Sequence, residues 1–253
     1  MDDEPILYAA DPPIATITLN RPDRLNALTV PAWDGLKASL EEADSDPDIR
    51  VIILEGAGKA FSSGDDIGDF DIDTPREARA YSRHIMACGL TIERIETPVI
   101  AKVDGLAVGG GCELAVLPDV TIASESAEFG LPEARVGAVP GIGLVRFPEL
   151  IGIKQSRELM LTGRRLSAAE AKEIGLVNEV VPPEDLDDVV AARAADIVKA
   201  APMSTRLIKR ILNSRLEDEA AAVNALTLIF SMEDAKEGMD AFFEKREPEW
   251  RDR

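Results

Sequence analysis

The spacing of apolar and polar positions divides the chain into short strands and amphipathic helices. Ile14 to Leu19 reads IATITL, with Ala15 and Ile17 facing opposite to Ile14 and Thr16. That period of two, in residues suited to a pleated surface, predicts a strand. Val51 to Leu54 (VIIL) and Pro98 to Val103 (PVIAKV) are continuous apolar runs, the pattern of strands buried on both faces. Trp33, Leu36 and Leu40 share one side of a helix expected over Trp33 to Ala43. Thr74-Pro75-Arg76-Glu77 and Ser167-Ala168-Ala169-Glu170 are capping boxes. They open helices expected to run to about Glu93 and Ile174.

Shorter strands are expected at 120–123, 127–129 and 177–181. Two glycine-rich polar stretches, 55–68 and 131–143, read as loops. Further helices are expected near 184–200, 203–215, 217–235 and 238–246. Strands alternating with helices, followed by helices alone, predict an α/β layered domain over 1–200 with a helical segment over 201–253.

Composition narrows what such a domain can do. The chain has 253 residues and a net charge of −19, which argues against nucleic acid as a partner, since phosphate binding needs a basic face. No apolar run reaches membrane-spanning length, and the acidic start MDDEPILYAA does not resemble a signal sequence. The expectation is therefore no membrane partner and a cytoplasmic location. The acidity also motivates the hypothesis of adaptation to high salt, where screening relieves self-repulsion. On that hypothesis the melting temperature rises between low and molar KCl, and an unchanged value contradicts it.

Cys88 and Cys112 are the only cysteines and neither forms a CxxC pair, so neither a disulfide framework nor a zinc site is expected. His84 is the only histidine, which removes most Ser-His-Asp and Cys-His schemes and reads more simply as a surface residue. Asp65 and Asp66 are adjacent on a loop and are not expected to converge on a metal.

The strongest local signal is DGLAVGGGCELA at 104–115. Three glycines stand between an apolar run and a helix start expected at Cys112. Glycine permits positive φ and close backbone approach. The free amides at a helix start bind anions. Glu113 lies in that first turn, so an acid or base stands beside a candidate oxyanion site.

Two other loops join this one in a common resemblance. AFSSGDDI at 60–67, DGLAVGGGCELA at 104–115 and FGLPEARVGAVPG at 129–141 resemble the signature segments of the crotonase (enoyl-CoA hydratase/isomerase) superfamily. NRPDRLNALT at 20–29, TGRRLSAAEAKEIGLVNEVVP at 162–182 and EGMDAFFEKREPEW at 237–250 resemble its remaining segments, in the expected order. The resemblance implies a spiral of ββα units whose C-terminal helices pack in a trimer, often as a dimer of trimers. It also implies an acyl-CoA thioester as ligand, with coenzyme A part of the substrate and no further cofactor.

The same resemblance assigns roles. The backbone amides of Asp65 and Gly110 would stabilise the thioester enolate, and Glu113 and Glu133 would share acid/base work. Arg24, Ala60, Asp66 and Ile67 match the CoA-contacting segments, Gly141 a glycine lining the site, and Lys245 a basic position that reaches a neighbouring subunit's CoA. Arg24 and Lys245 read equally as ordinary surface charges. Possession of both glutamates favours hydration. Isomerisation, thioester hydrolysis and non-catalytic acyl-CoA binding remain the alternatives. The segment after Gly141 is about one residue shorter than the usual version, and Leu226 stands where some relatives place an aromatic ring. Both departures bear on the acyl and CoA pockets.

Overall fold

The computed structural model describes residues 4–66, 68, 74–214 and 232–251. Ile67, Leu226 and most of the helix expected over 217–235 lie outside the described residues. Ten strands form two sheets among the described residues.

The larger sheet has the order β1(Ile6–Asp11), β2(Ile14–Leu19), β3(Val51–Gly56), β5(Val99–Val103), β7(Val120–Ser124), β10(Glu179–Val181). It is parallel except for the β1–β2 pair, in which Ile6 stands opposite Leu19. The smaller sheet has the order β4(Ala60–Ser62), β6(Leu106–Val108), β8(Glu128–Gly130), β9(Arg165–Ser167), with β9 antiparallel.

The pairs β3/β4, β5/β6 and β7/β8 each send their first strand to the large sheet and their second to the small one. A helix follows each pair: α2(Pro75–Gly89), α4(Gly110–Val116) and α5(Gly143–Thr162), the last interrupted at Gly152. This repeated ββα turn is the spiral that the sequence resemblance implies. The remaining helices are α1(Val30–Ser45), α3(Thr91–Arg94), α6(Ala168–Glu173), α7(Leu186–Lys199), α8(Pro202–Ser214) and α9(Glu233–Glu244).

The continuous apolar runs are explained by burial on both sides. Val51 and Ile100 pack with Ile122 against Leu186, Val190 and Ala194 of α7. Their neighbours Ile52, Leu54 and Val99 face the main core, with Trp33, Leu36 and Leu40 of α1. Both capping boxes close as their sequences predict, Thr74 with Glu77 and Ser167 with Glu170.

Four expectations need correction. The stretch 55–68 is not all loop, because β4 forms within it by pairing with β6. The stretch 131–143 contains a 3-10 turn over Glu133–Val136, and α5 begins at Gly143. The helix opened by Thr74 stops at Gly89, where any side chain would strike Ile142 and crowd Trp33. The helix after the three glycines starts at Gly110 rather than Cys112.

The C-terminal helices are fastened to this core by polar contacts. Lys209 of α8 is buried, with its ammonium 2.8 Å from Asp119 and 2.9 Å from the Thr97 carbonyl. The Trp250 indole donates to the Lys199 carbonyl at 2.8 Å.

Candidate active site

Three loops leave the C-terminal ends of β4, β6 and β8, which lie side by side in the smaller sheet. Ligand sites recur at such strand ends in parallel sheets. Glycine sets how closely the loops approach. Gly109 has φ +57 and turns the chain from β6 into α4. Gly64 has φ +84, and a Cβ on it would lie 2.7 Å from the Val108 carbonyl and 3.0 Å from the Gly110 amide nitrogen. At Gly111 a Cβ would lie 2.3 Å from the Ser62 carbonyl. No other residue lets these two backbones meet.

The backbone of the first loop fixes where its amides point. Leu28 bridges to Asp65: the Leu28 amide donates to Gly64 O at 2.8 Å, and the Asp66 amide donates to Leu28 O at 2.9 Å. Alternation along an extended chain turns the Asp65 N–H to the other side. The Gly110 amide opens α4 and so has no acceptor within the helix. The two predicted oxyanion donors therefore sit on facing turns.

Glu113 lies one turn into α4 and is buried. Its Oε1 accepts from the Gly143 amide at 2.7 Å, at the start of α5. Arg146 anchors that end of α5 on Glu93 through bonds of 2.6 and 2.7 Å. Burial pushes the Glu113 carboxyl up to about 8; the Gly143 amide opposes this, and the charges of Glu133 and Asp65 add to it. Glu133 opens the 3-10 turn after Pro132, with its Oε1 beside Gly109. Its Oε2 is buried and, among the described residues, is the one such side-chain oxygen without a hydrogen-bond partner. Burial and the Asp65 charge raise its pKa as well.

Asp65 brings a third carboxyl that the sequence reading valued only for its backbone. Trp33 Nε1 donates to Oδ1 at 2.8 Å, and the Tyr81 hydroxyl lies 3.5 Å from the same oxygen. Burial raises the Asp65 pKa, which these two groups and its own amide partly offset. Trp33 could have been singled out as a buried indole whose N–H needs an acceptor.

Asn26 was also missed. It is buried at φ +55, and its amide group accepts from Arg21 N and donates to the Ala57 and Ala60 carbonyls. It clamps the 20–28 segment to the start of β4. Arg24 is exposed at the end of a 3-10 turn, Ala60 is buried, and Asp66 pairs with Arg21 at 3.0 Å. Gly141 lies near Met86 on the other flank. Among the described residues, no hydrogen bond or ion pair joins Lys245 to these loops; it is exposed beyond the end of α9.

These positions match known proteins over the whole length of the chain. Residues 10–253 match the enoyl-CoA hydratase/isomerase family. The chain belongs to that family. It is 39% identical over 253 residues to a Mycobacterium bovis protein named probable enoyl-CoA hydratase, covering 98% of each chain. It is 38% identical to the short-chain-enoyl-CoA hydratase of Clostridium acetobutylicum, covering 93% of each. The crystal structure of enoyl-CoA hydratase from Bacillus anthracis superposes with a TM-score of 0.93 at 35% identity, covering 98% of this chain and 100% of that one. The fold is thus the crotonase fold of an enoyl-CoA hydratase/isomerase family member. No helix among the described residues is long and apolar enough to cross a membrane.

Proposed function

We propose that this family member is a hydro-lyase that adds water reversibly to a trans-2-enoyl-CoA, giving the 3-hydroxyacyl-CoA. Attack of water at the β-carbon of the conjugated thioester drives negative charge onto the thioester oxygen. The Asp65 and Gly110 amides receive that charge, and loss of one such donor costs roughly 10²–10³ in rate in a measured protease case. Glu113 holds and activates the water, and Glu133 delivers a proton to the α-carbon. The Glu133 charge raises the Glu113 pKa, so the two carboxyls do not ionise independently. The observation that carries the reading is Glu133 Oε2, buried without a partner among the described residues, on a side chain whose charge acts on the buried carboxyl of Glu113. An unpaired buried carboxylate oxygen is costly and is kept where it has work to do. The names of the relatives support the same reaction.

Mass analysis of the product formed from a trans-2-enoyl-CoA tests this. The reading requires the gain of one water with the thioester intact. A shifted double bond at unchanged mass indicates an isomerase, free coenzyme A a hydrolase, and no conversion an acyl-CoA-binding protein; each of these contradicts it.

Arg24, Ala60, Asp66 and Ile67 are proposed to contact the CoA portion, and Gly141 the acyl portion. Coenzyme A enters as part of the substrate and no further cofactor is invoked. We further infer that the helices of 201–253 pack between copies in a trimer or a dimer of trimers, with Lys245 reaching a neighbour's CoA. The exposed apolar side chains of Ile208 and Leu212 on α8 and Met239 on α9 support a covering partner. Sedimentation of the full chain as a monomer contradicts this assembly.

The third carboxyl gives a pH prediction. The Asp65 charge raises the pKa of both Glu113 and Glu133. Asp65→Asn removes that charge while keeping the shape, so both glutamates then ionise at lower pH. Both limbs of the pH profile of kcat/KM are expected to move to lower pH. A profile that stays in place shows that Asp65 does not couple to the pair.

A further inference from the structure

His84 and Cys88 stand four residues apart on α2 and therefore share one face of that helix. The fold sets this face against α1 at Asp34. His84 Nε2 lies 2.8 Å from Asp34 Oδ1 and 3.9 Å from Cys88 Sγ. All three donor atoms lie within 4.8 Å of one another. We propose that Asp34, His84 and Cys88 form a three-ligand site for a divalent transition-metal ion of the zinc class, clamping α1 to α2 at the side of the active site.

The geometry is close to what such an ion requires. Bonds of about 2.0–2.1 Å to nitrogen and oxygen and about 2.3 Å to sulfur, arranged tetrahedrally, give edges of about 3.4 Å for N···O and about 3.6 Å for N···S. The spacings of 2.8 and 3.9 Å depart from these by about 0.6 and 0.3 Å, within the reach of small side-chain rotations. The ligand set also selects the metal. Thiolate and imidazole favour zinc-class ions over calcium or magnesium, which take oxygen.

Cys88 is buried while Asp34 and His84 are exposed, so the fourth coordination position opens to solvent and suits a water molecule. The thiol proton leaves as the metal–sulfur bond forms. The site uses the chain's single histidine and one of its two cysteines, and neither takes part in the proposed reaction.

Its position ties it to the active-site wall. Trp33, the neighbour of Asp34, donates to the Asp65 carboxyl. Gly89, the neighbour of Cys88, packs against both Trp33 and Ile142. A metal joining α1 to α2 therefore braces the indole that holds the oxyanion loop.

Titration of the chelator-treated full chain with Co²⁺ alone tests the proposal, because surface carboxylates of so acidic a protein bind cations without giving a thiolate signal. The expected result is one Co²⁺ per chain, with an intense near-ultraviolet thiolate-to-cobalt charge-transfer band and visible bands of tetrahedral cobalt. The charge-transfer band disappears in Cys88→Ser. In His84→Gln and in Asp34→Asn the affinity falls by more than the roughly 10–100-fold typical of losing an outer-shell partner. The latter two positions are exposed, so both variants are expected to fold. Binding without the charge-transfer band, no saturable binding, or unchanged affinity in His84→Gln and Asp34→Asn overturns the site.

Discussion

Glu113→Gln is expected to lower kcat/KM for an enoyl-CoA by roughly 10²–10⁴, the range for loss of a positioned acid or base. The glutamine carbonyl can still accept from the Gly143 amide, so the start of α5 keeps its partner. The same substitution is expected to make the protein more stable. Burial raises the Glu113 carboxyl from an ordinary 4.5 to about 8, so folding near neutral pH retains a proton that the unfolded chain has lost. By linkage, the wild-type protein loses stability as pH rises from about 4.5 to about 8. The glutamine variant lacks that loss. Its advantage in melting temperature should therefore be absent below pH 4.5, widen to about pH 8 and then level off. Activity falling while stability rises marks a group kept for chemistry. A residue serving only structure would lose both. Retained activity would instead favour isomerisation, which needs one proton shuttle.

Gly64→Ala carries the second large effect. The left-handed φ of +84 costs an alanine about 1–2 kcal/mol. The larger consequence is steric, because the new methyl would sit 2.7 Å from the Val108 carbonyl and 3.0 Å from the Gly110 amide nitrogen. Both are backbone atoms of the facing turn and cannot swing away. The turns bearing Asp65 and Gly110 must separate, and the rate is expected to fall by roughly 10²–10³, as when an oxyanion donor is lost. Gly175→Ala is the control. Its φ of +81 brings comparable strain, but the nearest atom to a Cβ there is 3.9 Å away, the Leu150 carbonyl, remote from the site. It should lose stability and keep its kcat. Equal activity loss in the two variants would show that strain alone explains the effect.

Much of the fold was legible because burial on two faces leaves a mark in one dimension. VIIL and PVIAKV are apolar throughout since α7 covers one side of their sheet and the main core the other. The capping boxes were legible because they are local. β4 was hidden, since AFS lies in a polar glycine-rich stretch and becomes a strand only through β6. β1 was hidden for the opposite reason. It lies at the sheet's edge, and outward residues such as Leu7 give its pattern no clean alternation.

The site divides in the same way. The glycines, Glu113 and Glu133 stand out in short motifs. What holds them does not, because each support joins distant segments. Asn26 reaches β4, Trp33 reaches Asp65, and the amide of Gly143 reaches Glu113. The meeting of Asp34 with His84 and Cys88 likewise depends on how α1 lies against α2.

Two carboxyls working together beside two backbone donors form the proposed catalytic centre. Steady-state hydration of a trans-2-enoyl-CoA by the wild-type protein, Glu113→Gln, Glu133→Gln and the double variant tests it most directly. Wild-type turnover is expected within roughly 1–10³ s⁻¹. Because groups acting together are strongly non-additive, the double variant should fall little further than either single one. No wild-type turnover on any enoyl chain length, or losses in the double variant that simply multiply, would contradict it.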